Sequence, residues 1–177
     1  MAGRMRRRGR EHRRQVRFRR RHPADSRRPD KPPMSERCVD ASVMVKLALK
    51  GESRRVTARR LVLESTEAGI QLIAPPIFPS EVDTVIRKRV HEGRLSQPGA
   101  QEAYGVLDRS PVEIVTRPDL RRRARQIAEQ FNQPAVYDAT YAALAELRGC
   151  EFWTADKAFY DAVKDGLPFV KYLPDCP

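Results

Sequence analysis

The sequence predicts an α/β fold, a three-layer α/β/α sandwich around a central, mostly parallel sheet. Three observations carry that expectation. Short apolar runs alternate with longer amphipathic segments in the order β-α-α-β-α-α-β-α-α-β-α-β, which suits a parallel sheet covered by helices on both faces. Pro and Gly fall at many of the boundaries between those segments. Finally, residues 134–156 read as a helix and a strand lying back to back. Pro134 suits a first helical turn, Gly149 follows the last one, and Cys150 to Thr154 is a short apolar run. At about 1.5 Å per helical residue and about 3.3 Å per strand residue, Asp138 and Asp156 return to the same edge.

In chain order, Arg37 to Asp40 is expected to form the first strand and Ser42 to Leu49 the helix after it. A second helix spans Ser53 to Ala68, with Val56, Leu61, Val62 and Leu63 as apolar positions and Gly69 as its stop. Ile70 to Ala74 reads as a buried strand broken by Pro75-Pro76. The next helix begins near Pro79 or Ser80 and continues through Val90, with Val82, Val85, Ile86 and Val90 facing inward. Arg87, Lys88 and Arg89 give it a basic face, read as solvated or as a guide for a polyanion. Gln97 to Asp108 forms a fourth helix, and Val112 to Thr116 a strand. Leu120 to Phe131 forms an amphipathic helix whose Arg121, Arg122, Arg123 and Arg125 face solvent. Beyond Asp156, Lys157 to Lys164 is a short helix and Phe169 to Leu173 the final strand.

Composition bounds the function. The 177 residues, 40% hydrophobic, suffice for one domain with a sizeable core. No apolar run approaches the roughly 18 to 20 residues of a transmembrane helix, so no membrane role is expected. Cys38, Cys150 and Cys176 are odd in number and widely spaced, which indicates neither a disulfide framework nor a zinc site. Cys38 and Cys150 read as buried strand thiols in a reducing, cytoplasmic protein. His12 and His22 lie in the basic tail, so only His91 remains in the folded part. A two-histidine ribonuclease mechanism is thereby disfavoured.

The net charge of +12 is unevenly distributed: residues 1–33 hold 14 Lys and Arg against Glu11, Asp25 and Asp30, and the rest of the chain holds 21 basic against 20 acidic side chains. Residues 1–33 are too polar to bury a core and are expected to be a disordered, Arg-rich extension of a domain spanning 34–177. Three readings stay open for it. It is an over-extended start, with Met34 opening the natural domain, an RNA-binding arm, or a targeting peptide.

Four acids share one structural description. Asp40 ends a strand, Glu81 and Asp138 open helices, and Asp156 lies just past a strand, so all four belong at the sheet's carboxyl edge, where open α/β folds bind ligands. Four converging carboxylates repel unless a cation neutralises them. An all-oxygen set suits Mg²⁺ or Mn²⁺, and the site lacks the His and Cys that zinc prefers. Such an ion lowers the pKa of bound water and stabilises charge on a phosphoryl oxygen. Thr154 and Ser42, each two residues from an aspartate, are placed to hydrogen-bond a carboxylate, and Ser42 to cap its helix as well.

The chain from Arg37 to Leu173 resembles the PIN domain, and within it the bacterial VapC-type toxins. The resemblance lies in Val39-Asp40-Ala41-Ser42, in Pro76 through Glu81-Val82, in Tyr137-Asp138-Ala139 followed by Ala142 to Glu146, and in Thr154-Ala155-Asp156. It implies a metal-dependent endoribonuclease whose acidic pocket corresponds to Asp40, Glu81, Asp138 and Asp156, with Thr154 as a polar helper. It also implies cleavage of an RNA substrate to 5′-phosphate and 3′-hydroxyl ends, a cognate antitoxin and a homodimer. Thr84 departs from the family pattern, in which Asn is frequent, and the Arg-rich segment has no counterpart in it.

Two other classes fit the sequence less well. A catalytically weak PIN-like module that binds RNA or protein would not need four retained acids. An aspartyl-phosphate phosphatase would want a second Asp where Ser42 stands, and a receiver domain would want paired acids upstream.

Overall fold

A computed structural model describes residues 35–176. The expected extension, residues 1–33, lies outside the described residues. Among the described residues five strands are present: β1 (Glu36–Val39), β2 (Gln71–Ala74), β3 (Val112–Ile114), β4 (Glu151–Thr154) and β5 (Val170–Tyr172). Seven helices connect them: α1 (Ala41–Ala48), α2 (Arg55–Glu67), α3 (Phe78–His91), α4 (Gln97–Asp108), α5 (Leu120–Gln130), α6 (Tyr137–Arg148) and α7 (Lys157–Val163). A short 3₁₀ turn, Leu173–Asp175, follows β5. The element order is the expected one.

All four strand pairings are parallel, and the sheet order is β3-β2-β1-β4-β5. The chain moves outward from β1 through β2 to β3, then crosses back to lay β4 against the other side of β1. Crossovers leaving β1 and β4 therefore diverge, and the crevice between them is the topological switch point of the sheet. Register across it pairs Cys38 with Phe152 and Val39 with Trp153. The Asp40 N–H extends the ladder to the Trp153 carbonyl at 3.0 Å.

Helix α6 is the inner element of its layer. Ala139, Tyr141, Ala142, Ala143, Leu144 and Ala145 are all fully buried. The run of alanines lets the helix approach the sheet closely on one side and α5 on the other. The Tyr141 ring stacks on Phe152 of β4 at 5.8 Å, and Phe152 meets Phe159 of α7 edge-on at 6.1 Å. Gly149 ends α6 at φ 67, with its N–H and that of Cys150 closing on the last-turn carbonyls. This left-handed cap costs a residue with a side chain about 1–2 kcal/mol.

Several local expectations differ from the structure. Helix α6 starts at Tyr137, not in the turn containing Pro134, because residues 131–136 form turns and bends. Val56 and Leu63 are exposed, at 82% and 47%. The buried stripe of α2 is Ala58, Leu61, Val62 and Ser65, and a position seven residues from Val56 falls on the opposite face with it. The hydroxyl of buried Ser65 is satisfied on both sides, accepting from Arg37 at 2.8 Å and donating to the Leu61 carbonyl at 2.6 Å. Arg89 and Arg123 are ion-paired with Glu52 and Glu146, so neither lies free on a solvated face. The thiols of Cys38, Cys150 and Cys176 are free. Cys38 is a buried strand thiol as expected and Cys176 is buried, whereas Cys150, expected to be the same, is half-buried and lies just before β4. Among the described residues no helix is long and apolar enough to cross a membrane.

Candidate active site

The end of β1 delivers Asp40 to the switch point, where its side chain caps α1 by accepting the Ser42 N–H at 3.2 Å. The same carboxylate is almost fully buried, at 4% exposure. Two hydroxyls converge on its Oδ2: Thr154 donates at 2.6 Å and Ser42 at 2.7 Å. Each hydroxyl is itself held by the chain that follows β4. Ser42 Oγ accepts the Ala155 N–H at 3.0 Å, and Thr154 Oγ1 accepts the Asp156 N–H at 2.9 Å. Asp40, Ser42, Thr154 and the 155–156 backbone thus form one closed network joining β1, α1 and β4.

Asp156 caps α7 by accepting the Phe159 N–H at 2.9 Å. Glu81, in the first turn of α3, accepts a hydrogen bond from the Tyr141 hydroxyl. Asp138 occupies the first turn of α6, and among the described residues no other side chain donates to it. The four carboxylates come from four different elements, yet all line one cavity of about 490 Å³, together with Ser42 and Tyr137. Ala41, Ile77 and Val85 add apolar surface, and Ser80 and Thr84 of α3 complete the lining.

The electrostatics follow from this convergence. Asp138 is pushed up to about 7 by burial first and then by the charges of Asp40, Asp156 and Glu81. Burial also raises Asp40, against the pull of the Thr154 and Ser42 hydrogen bonds, and Asp156 adds to the rise. Glu81 is raised by burial, lowered by Tyr141 and raised again by Asp40. The Tyr141 hydroxyl is held far above its ordinary range by burial and by the same acids, so it stays a proton donor to Glu81.

Among the described residues no three His, Cys, Asp or Glu side chains form a ready-made metal-holding group. The physical reason is visible in the partners: Asp40, Glu81 and Asp156 are each turned toward a donor of the protein itself. The donor chemistry nevertheless fits a hard divalent cation. Every ionisable group lining the cavity except the Tyr137 phenol is a carboxylate, and their repulsion, expressed at Asp138, is what a cation would relieve.

All five residues singled out in the sequence are near this edge, with Thr154 serving Asp40 from behind the cavity. Two were not singled out. Tyr141 reaches Glu81 across 60 residues of chain, and only its position three residues after Asp138 hinted at a face shared with the site. Tyr137, more than half exposed, stands on the cavity rim. Thr84, the departure from the expected Asn, donates its hydroxyl to the Ser80 carbonyl at 2.6 Å. Its hydroxyl is bound within α3, and the polar contact to Glu81 comes from Tyr141.

A parallel sheet with this strand order and an all-carboxylate pocket at its switch point defines an α/β protein built to gather negative charge at one crevice. The chain belongs to the PIN domain family, whose model matches residues 37–165. No curated protein is significantly similar to it in sequence. Among solved structures, it is similar to PAE2754 from Pyrobaculum aerophilum, at 19% identity and TM-score 0.59, covering 80% of this chain and 92% of that one. The VapC20 toxin of Mycobacterium tuberculosis, described as cleaving the sarcin-ricin loop, aligns at 20% identity and TM-score 0.56 over 74% of this chain and 95% of its own. VapBC2 from Rickettsia felis, solved bound to a promoter DNA fragment, aligns at 13% identity and TM-score 0.56 over 77% and 98%.

Proposed function

We propose that this chain is a Mg²⁺- or Mn²⁺-dependent endoribonuclease acting as the toxin of a toxin-antitoxin pair. The observation that carries the reading is the convergence of Asp40, Glu81, Asp138 and Asp156, from four separate elements, on one cavity. Folding them together against their repulsion is costly unless a bound cation uses them. Membership of the PIN family and the likeness to VapC-type structures support the same reading.

In this proposal Asp40, Glu81, Asp138 and Asp156 hold the metal, which supplies an activated water and charge stabilisation at the scissile phosphate. The protein's own part is orientation. Thr154 and Ser42 fix the Asp40 carboxylate by donating to Oδ2, Tyr141 fixes Glu81, and the α6 dipole favours the ionised form of Asp138. The proposed partners are an RNA substrate, a cognate antitoxin and a second copy of the chain, in the cytoplasm, with residues 34–177 as the working domain.

The engagement of Asp40, Glu81 and Asp156 by donors of the protein itself favours one second reading, a catalytically weak module that binds RNA or protein. Inducible expression of wild type and of Asp138→Asn, with sequencing of new 5′-phosphate RNA ends, separates the two. Ends produced only by the wild type support the nuclease. Ends produced equally by both, or by neither, overturn it.

A further inference from the structure

Beside the acidic cavity lies a larger, open groove of about 890 Å³ between α3 and α4. Thr84 lines both, so the two spaces adjoin at this residue of α3. From Thr84 the groove follows one face of that helix, Arg87, Lys88 and His91, at spacings of three, four and seven residues. The opposite wall is α4, which contributes the half-buried Tyr104 and, one turn on, Asp108. Asp83 also faces the groove. Helix α3 carries this wall about 15 Å from Glu81 to His91.

We propose that this groove is the substrate subsite that receives single-stranded RNA as it leaves the acidic cavity, a proposal that rests on the ribonuclease reading above. Arg87 and Lys88 sit where phosphates flanking the scissile bond would pass. Arg87 has no ion-pair partner among the described residues, and Lys88 makes only an exposed 4.0 Å contact with Glu92. They differ in this from Arg89 of the same helix, which is bound to Glu52. Tyr104 offers a ring face on which an unstacked base packs, and stacking of this kind accepts any base. Asp83 and Asp108 would repel a bare phosphate but accept hydrogen bonds from the amino groups of bases. Cationic, aromatic and acceptor groups in one groove suit a nucleotide strand, whose phosphates and bases are read by different partners. A uniformly acidic peptide would meet the two aspartates unfavourably.

The test compares three full-length proteins: wild type, Arg87→Ala/Lys88→Ala, and Arg121→Ala/Arg125→Ala. The last loses the same charge from α5, away from the groove. Cleavage of a pool of random-sequence single-stranded oligoribonucleotides is followed with Mn²⁺ at several salt concentrations, and each protein's oligomeric mass is measured in parallel. The groove variant should show a KM raised about tenfold or more. Its salt slope, log KM against log salt concentration, should be smaller by about 1.4, two phosphate contacts at about 0.7 each. The α5 variant should keep the wild-type slope. Equal changes in both variants mean that overall charge is responsible, which overturns the subsite. An unchanged KM and slope in the groove variant, with or without a change in oligomeric mass, also overturns it, and a changed mass assigns the groove to a second copy of the chain. Wild-type protein that cleaves no RNA overturns the ribonuclease reading, and the subsite with it.

Discussion

Thr154 donates its hydroxyl to Asp40 Oδ2 at 2.6 Å, joining the ends of two neighbouring parallel strands that are 114 residues apart in the chain. Thr154 is fully buried and also accepts the Asp156 N–H. One hydroxyl therefore positions two of the proposed metal ligands. Thr154→Val keeps the shape but leaves the Asp156 N–H without its acceptor and Asp40 held by Ser42 alone, and should cost about 1–3 kcal/mol in urea unfolding. Thr154→Ser restores the hydroxyl and should recover most of that loss. Cleavage should fall with Val and return with Ser; a Val variant with wild-type stability and rate contradicts the role given to this hydrogen bond.

Asp138 separates stability from activity. In the metal-free protein it is a carboxylate pushed up to about 7 by burial and by three neighbouring acids. Asp138→Asn removes that repulsion and should raise the melting temperature of the metal-free protein at pH 8. The same change should lower Mn²⁺-dependent cleavage by about a hundredfold or more, as removal of a preorganised electrostatic partner does in other enzymes. Loss of both stability and activity would instead point to a structural role.

The pH dependence has a definite sign. Unfolded, Asp138 titrates near about 3.9, and folded near about 7. Between those values the folded state binds more protons, so stability falls as pH rises through the window. Asp40 and Glu81, also raised, act in the same direction. Melting curves of the metal-free protein should therefore decline from about pH 4 to about pH 7 on account of this cluster. Saturating Mn²⁺ should flatten that decline and stabilise most above pH 7, where the four acids are charged. A metal effect independent of pH would count against the pocket as the binding place.

Tyr141 tests the support of Glu81. Tyr141→Phe keeps the ring stacked on Phe152 and removes only the donor to Glu81. Mn²⁺ affinity, read by calorimetry, should drop about 10–100-fold, the usual effect of removing a group that orients a metal ligand. Tyr141→Ala should in addition cost about 3–5 kcal/mol, because a fully buried aromatic side chain leaves a cavity.

Much of this fold is local in origin and so was legible in the chain. Pro75-Pro76, Gly69, Gly149 and Ser110-Pro111 punctuate the elements by backbone preference alone, and each element exists near its expected span. The edge on which the four acids lie follows from the same logic, since a strand end and a helix start define one side of a parallel sheet. Where a reading failed, phase or a distant partner was the cause. Val56 lies on the face of α2 opposite its buried stripe, and Arg89 is claimed by Glu52, 37 residues away.

Sequence by itself determined the α/β class, the element order and the common edge of Asp40, Glu81, Asp138 and Asp156, because propensity, punctuation and periodicity act over a few residues. Tertiary structure alone decided the strand order that makes the β1/β4 junction the switch point. It also decided the Thr154–Asp40 and Tyr141–Glu81 hydrogen bonds and the placing of the α3/α4 groove beside the acidic cavity, with Thr84 lining both. Those features depend on which distant surfaces meet. That is set by packing of the whole core, which no local pattern encodes.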